Sequence, residues 1–295
     1  MPVFKKRFPF SLGTTSFIFP EDWVGNARKL APIFDEIEIL VFESDPITGL
    51  PDPETVEHLK RIAREGDVLY NVHLPIDVQI GSSDPAGARF SCDRIASAIQ
   101  RTVPLDPVTW ILHLDGLKEH ESVEPWMRRM EEGLWMLQDA AGVSLRRICL
   151  ETLDDPPEYL IPLVDRFQAG ICLDVGHFFV HRRDAASFFQ AYRDRIHMIH
   201  VHGVQGERDH LALDCLNTDQ ADVVCGILEH YTGHVSIEVF RESDLLRSLS
   251  WLERHLDIDV ANPWIDSQRD RPYGLTRRKA GEFCSAAEKL SSPSS

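Results

Sequence analysis

The residues best equipped for chemistry stand at the ends of short apolar runs. One run, Ile171-Cys172-Leu173-Asp174-Val175-Gly176-His177, closes on an acid, a glycine and a histidine. Bounded by turn residues, it reads as a strand buried on both faces, where a carboxylate is unfavourable unless a positive charge meets it. Asp174 and His177 offer one oxygen and one imidazole nitrogen to a divalent cation, and Gly176 lets the backbone turn between them. A salt-bridged aspartate beside a capping histidine would explain this stretch equally well. The pattern recurs, however: His73, His113, Glu151, His200 and Glu238 each stand near the C-terminal end of another apolar run.

The runs that must position these residues alternate with helical stretches. Strands are expected at 10–17, 36–42, 68–74, 108–114, 147–153, the run just described, 196–202 and 235–240. Helices are expected at 21–34, 53–65, 89–102, 121–141, 158–167, 184–193, 220–231 and 245–256. Trp126, Met130, Leu134 and Leu137 share one face of the fourth helix, a stripe better suited to packing than to holding a cofactor. Near-continuously apolar strands belong to parallel sheets covered on both sides, and eight strand–helix units close into a (β/α)8 TIM barrel, a single α/β domain over 1–256. The remainder, 257–295, changes to a basic segment (RDRPYGLTRRK) and a small, polar one (SAAEKLSSPSS). It reads as a C-terminal arm, packed on the barrel or partly disordered.

In such a barrel the strand ends converge on one mouth. Strand parity allows Asn71 with His73, Ile111 with His113, Cys149 with Glu151, Cys172 with Asp174, His200 with His202, and Ser236 with Glu238 to face inward together. Taken singly, His73 or His113 could be a satisfied core histidine, and Glu151 or Glu238 a barrel ion pair. Together they form an excess of acids and imidazoles with no Lys or Arg in the strand interiors to neutralise them. Uncompensated buried charge costs several kcal/mol per ion, so one or more bound divalent cations is the simplest resolution. Mixed imidazole and carboxylate donors suit Zn or Mn first, with Fe or Co behind them, over Ca or Mg.

Composition narrows the partners. The 47 acidic and 31 basic residues leave a net charge of −16, which repels nucleic acid and anionic lipid. No apolar run reaches the roughly 18 residues a membrane span requires, and the N-terminal MPVFKKRFPF lacks a signal-peptide core, so a cytoplasmic protein is expected. The six cysteines show no paired spacing, and Cys149 and Cys172 lie inside strand-like runs, as reduced core thiols do. The sequence carries no signature of an oligomeric state.

Taken in order, these residues resemble the xylose-isomerase-like barrels that include apurinic endonucleases such as endonuclease IV. Asp174 and His177 match that superfamily's Asp-x-x-His element, and His73, His113, Glu151, His200 and Glu238 match its metal positions. The segment Arg208-Asp209-His210 is similar to the Asp-x-His element of three-metal members, but its Asp and His are adjacent. A narrower resemblance rests on Leu12-Gly13-Thr14-Thr15-Ser16-Phe17-Ile18, Ile39-Leu40-Val41-Phe42-Glu43-Ser44, Val72-His73-Leu74-Pro75, Leu112-His113-Leu114, Leu150-Glu151-Thr152-Leu153, Val201-His202-Gly203-Val204 and Arg208-Asp209-His210. These resemble cobamide-remodelling phosphodiesterases, which cut the nucleotide loop of a cobamide at its phosphoribosyl bond to give cobinamide phosphate and an α-riboside.

That resemblance implies one to three cations. Glu151, Asp174, His200 and Glu238 would hold the principal one, and His73, His113 and His177 would hold or orient a second. Glu151 and Glu238, with Asp209 and His210, would be catalytic, while Arg208 and His202 would contact a corrinoid substrate. Three competing readings share the barrel: a sugar isomerase or epimerase, an apurinic-site endonuclease, and a corrinoid-binding protein without turnover.

Overall fold

The computed structural model describes residues 3–256. Its strands are β1 (Ser11–Thr15), β2 (Glu36–Leu40), β3 (Leu69–His73), β4 (Trp110–Leu112), β5 (Ile148–Glu151), β6 (Gly170–Asp174), β7 (Ile196–Val201), β8 (Gly203–Gln205), β9 (Arg208–Leu211) and β10 (His234–Ile237). Eight of them are parallel and close in the spatial order β1-β10-β7-β6-β5-β4-β3-β2. The helices are α1 (Trp23–Leu30), α2 (Pro53–Gly66), α3 (Pro85–Thr102), α4 (Val123–Ala141), α5 (Ile161–Phe167), α6 (Val175–Val180), α7 (Ala185–Tyr192), α8 (Thr218–Glu229) and α9 (Glu242–His255). This is the expected TIM barrel.

Short polar residues start most of these helices. Asp22, Asp52, Asp84 and Asp184 accept backbone N–H bonds at the N-caps of α1, α2, α3 and α7, and Asn217 with Gln220 forms a reciprocal capping box on α8. The α8 cap explains why that helix begins two residues earlier than its apolar pattern suggests. The expected helix 21–34 ends at Leu30, because Ile33 and Phe34 turn into the core. Trp126, Met130, Leu134 and Leu137 are all buried, as a packing stripe should be.

Two elements differ from expectation. The short helix α6 starts directly on the end of β6, capped by the Asp174 side chain. The stretch after β7 folds into an antiparallel hairpin, β8 with β9, where a loop is expected from sequence. Gly206 supplies the left-handed turn at φ 69°.

The loop over the mouth at 75–84 is pinned on both sides. Asp115 accepts the Gly81 N–H at 2.6 Å, Arg129 donates to the Gly81 carbonyl at 2.7 Å, and Asp77 accepts from the Ser44 N–H at 3.0 Å. Of the described residues, five cysteines are free thiols; Cys284 and the proposed arm lie outside them. No helix among the described residues is long and apolar enough to cross a membrane.

Candidate metal centre

The strand pairing sets the barrel interior in layers. Ile111, Cys149, Cys172 and Met198 form a small apolar cluster of their own. Each stands two residues before His113, Glu151, Asp174 or His200, so the polar groups occupy the next inward layer toward the mouth. Asp174 lies level with His200 across β6 and β7, and Ser236 level with His200 across β10 and β7.

Three groups of donors share this layer and the rim above it. In the first, His200 Nδ1 lies 2.8 Å from Glu151 Oε1, 3.2 Å from Glu238 Oε2 and 4.0 Å from Asp174 Oδ2. In the second, Glu151 Oε2 meets His113 Nε2 at 2.7 Å and His73 Nε2 at 3.3 Å, so Glu151 belongs to both. In the third, His177, His202 and His210 bring one nitrogen each within 4.8 Å of one another. His202 ties this group to the first, with Nε2 3.1 Å from Asp174 Oδ1.

The electrostatics are those of a site short of positive charge. Among the described residues, no Lys or Arg pairs with Glu151, Asp174 or Glu238; imidazoles alone face them. Burial should raise the Glu151 and Glu238 carboxyls, yet His200 pulls both well below the usual range, helped by His113 for Glu151. Reciprocally, burial lowers the His73 imidazole, but the adjacent Glu151 carboxylate outweighs it and brings it to about 9. A cation would replace those protons, since metal binding and imidazole protonation compete for one lone pair.

The residues present fit such a cation. Glu151 Oε2 and Glu238 Oε2 are buried, and their close contacts to imidazole nitrogens lie outside hydrogen-bond geometry. Buried polar atoms in folded proteins are rarely left so, and unfilled donor positions converging on one pocket are what a metal satisfies. Glu151, Asp174, His200 and Glu238 would hold one cation, with His73, His113 and Glu151 beside it.

The candidates named from sequence divide by position. His73, Glu151, Asp174, His200 and Glu238 are buried together, and His113 stands at the edge with its side chain 30% exposed. His177 groups with His202 and His210 instead of with His73 and His113. His202, expected to touch substrate, is almost fully buried and lies among the donors, and its Nδ1 accepts the His210 N–H at 3.0 Å. His210 reaches the site from β9, its Nδ1 3.7 Å from Glu238 Oε2. The side chains of Arg208 and Asp209, on the same strand, form no hydrogen bond or ion pair among the described residues. Gly176 is helical and does not provide a turn; a Cβ there would overlap the His202 ring, so close approach is what requires glycine.

Glu38 belongs to the site but is not among the residues singled out from sequence. It is fully buried on β2, with Oε2 3.1 Å from His200 Nε2, the nitrogen opposite the donor face. A carboxylate behind a ligating histidine sets its ring orientation and basicity. The signal that could have found it is Glu36-Ile37-Glu38-Ile39-Leu40, where two acids alternate with apolar residues on one face of a strand.

Residues 26–255 match the family described as the xylose isomerase-like TIM barrel, and the chain belongs to that family. Its fold is similar to the crystal structure of a D-tagatose 3-epimerase-like protein, at 22% identity and TM-score 0.70 over 83% of this chain and 97% of that one. It is also similar to endonuclease IV from Thermus thermophilus, at 18% identity and TM-score 0.66 over 83% and 99%. D-allulose 3-epimerase from Methylomonas sp., in complex with D-allulose, matches at 18% identity and TM-score 0.61 over 86% and 99%. A search of curated proteins finds no significant match.

Proposed function

We propose that the chain is a metal-dependent phosphodiesterase, and that its substrate is a cobamide cut at the phosphoribosyl bond of the nucleotide loop. The observation that carries the reading is the number of donor groups. A single-cation proton-transfer site needs only Glu151, Asp174, a histidine and Glu238, whereas His73 and His113 share Glu151 with that set and His177 and His210 flank it. Divalent cations bound there would acidify water to near neutrality and stabilise charge on the leaving oxygen.

In this hydrolysis, water adds to phosphorus, the bond from phosphorus to the ribose oxygen breaks, and that oxygen leaves with a proton. Glu238 is placed to take the proton of the attacking water, and His210, beside it and partly exposed, to supply one to the leaving group. The corrinoid side finds an apolar shelf at the same mouth. Phe42 packs edge-on against Phe17 at 5.4 Å and Phe240 at 6.1 Å, and Phe240 lies 5.1 Å from His210. Beside it a cleft of about 770 Å³ runs between 17–22 and 240–243. The macrocycle is mostly neutral, so the acidic chain does not repel it.

A second reading has an observation in its favour. Glu151 and Glu238 both approach His200 Nδ1, and two carboxylates across one cation are what a sugar isomerase or epimerase would use to move a proton. Anaerobic incubation of metal-replete protein with a complete cobamide, followed by mass analysis, separates the two. Cobinamide phosphate and an α-riboside support the phosphodiesterase. Intact cobamide at confirmed metal occupancy overturns it, and epimerised ketose in a parallel sugar screen would replace it.

A further inference from the structure

We propose that the chain holds an additional divalent cation of the zinc class at the rim of the barrel, on Asp154, His177 and His181. The site goes beyond the proposed activity and does not depend on it. His177 and His181 stand four apart at the two ends of one helical turn, so both imidazoles fall on the same side of α6, their rings 6.5 Å apart and 26° from parallel. Asp154 arrives from the loop after β5. Its Oδ1 lies 3.0 Å from His181 Nε2 and 3.7 Å from His177 Nδ1.

Those separations lie on either side of the donor spacing around a cation, so a small adjustment of the Asp154 side chain would admit one. With bonds of about 2.0–2.2 Å in a tetrahedral arrangement, ligand atoms stand roughly 3.3–3.6 Å apart. A carboxylate capping two imidazoles would also bring the atoms close, but it leaves a second fact unexplained. His177 Nδ1, the nitrogen nearest Asp154, is buried and makes no hydrogen bond. The loop is also built into place: Arg183, just past α6, donates to the Leu153 carbonyl at 2.7 Å and to the Asp154 carbonyl. One guanidinium thus fixes the backbone carrying Asp154 against the segment carrying both histidines. Three protein donors leave a fourth position open to solvent, since Asp154 and His181 are both accessible.

The test counts metal and needs no turnover. Full-length protein is stripped with chelator, reloaded with Zn²⁺, desalted and analysed for bound metal, with a parallel Co²⁺ titration followed by absorption. His181→Ala and Asp154→Ala each lower the Zn²⁺ count by one equivalent and remove one component of the Co²⁺ spectrum. Both positions are partly or largely exposed, so melting temperatures in chelator stay at the wild-type value. A double variant, Glu151→Gln with Glu238→Gln, disables the mouth and still retains one equivalent that His181→Ala abolishes. This separates failure of the rim site from failure of the proposed activity. An unchanged count and spectrum in both single variants overturns the proposal and leaves a carboxylate that only caps two imidazoles.

Discussion

The two ends of this barrel bury carboxylates in opposite ways. Near the N-terminal end, Glu36 is held on one oxygen by Asn71 Nδ2 and on the other by His234 Nδ1. Neither oxygen lacks a partner, and the group needs nothing from outside the chain. At the C-terminal end, Glu151 and Glu238 face only imidazoles, and each keeps one buried oxygen whose contacts to ring nitrogens do not complete a hydrogen bond. Both ends are buried and acidic, so burial and charge alone do not mark a site. The difference lies in whether the chain completes the coordination itself. Glu38 stands between the two regimes, unbonded but 3.1 Å from His200, where it serves the mouth from behind.

The largest effect expected from breaking this contrast is at the mouth. Glu151→Gln should lower turnover by more than the roughly 10²–10³-fold supplied by one electrostatic stabiliser, because it removes a donor from two groups at once. Steady-state kinetics would show the loss in kcat with KM little changed; wild-type kcat would remove Glu151 from the site. Metal removal should come next. At a free concentration a thousandfold above its dissociation constant, a cation stabilises the fold by about 4 kcal/mol. Chelation should accordingly lower the wild-type melting temperature by about 10 °C for a domain of this size, and lower that of Glu151→Gln by less, because only the rim cation is left to remove.

The opposite end should respond in the opposite sense. Glu36→Gln strips a charge partner from the mostly buried His234 and should cost about 3 kcal/mol in denaturant unfolding, the low end for a broken buried pair because the imidazole can shed its proton. Its metal count should equal wild type; a lost equivalent would erase the distinction between the ends. The same pair predicts a pH dependence. Burial pulls the His234 imidazole down, and Glu36 more than offsets this, leaving it above its ordinary value. Its contribution to stability is therefore complete below the unfolded histidine pKa and fades as pH rises through the higher folded value. The gap between wild type and His234→Gln should shrink across that window, read from unfolding midpoints at each pH.

The smallest effect belongs to the shelf. Phe17 is 54% exposed at the mouth, and Phe17→Ala should weaken cobamide binding by the roughly 0.5–1.5 kcal/mol of one aromatic contact while metal content stays constant.

The barrel was legible from sequence because its signals are local. Apolar strands, amphipathic helices and turn residues alternate, and parity within each strand assigns an inward face without knowledge of neighbours. The donors at strand ends were legible for the same reason. What parity cannot supply is height. His200 and His202 share a face, and only the alignment of β7 with β6 and β10 places His200 level with Asp174 and puts His202 above it, toward His210. Gly176 likewise reads as a turn residue, because the ring that forbids a side chain there comes from a different strand. Glu36 and Glu38 carry a period-two pattern, but whether each acid is paired or left open is decided by His234, Asn71 and His200 across the barrel. The rim cluster of Asp154 and His181 lies farthest from sequence reach, since its parts sit on separate segments joined by Arg183. Composition and periodicity therefore determined the fold and the kind of chemistry, because each residue's own neighbours set them. Tertiary structure decided which acids the chain satisfies itself and which it leaves without a completed hydrogen bond, because that depends on atoms brought together from strands far apart in the chain.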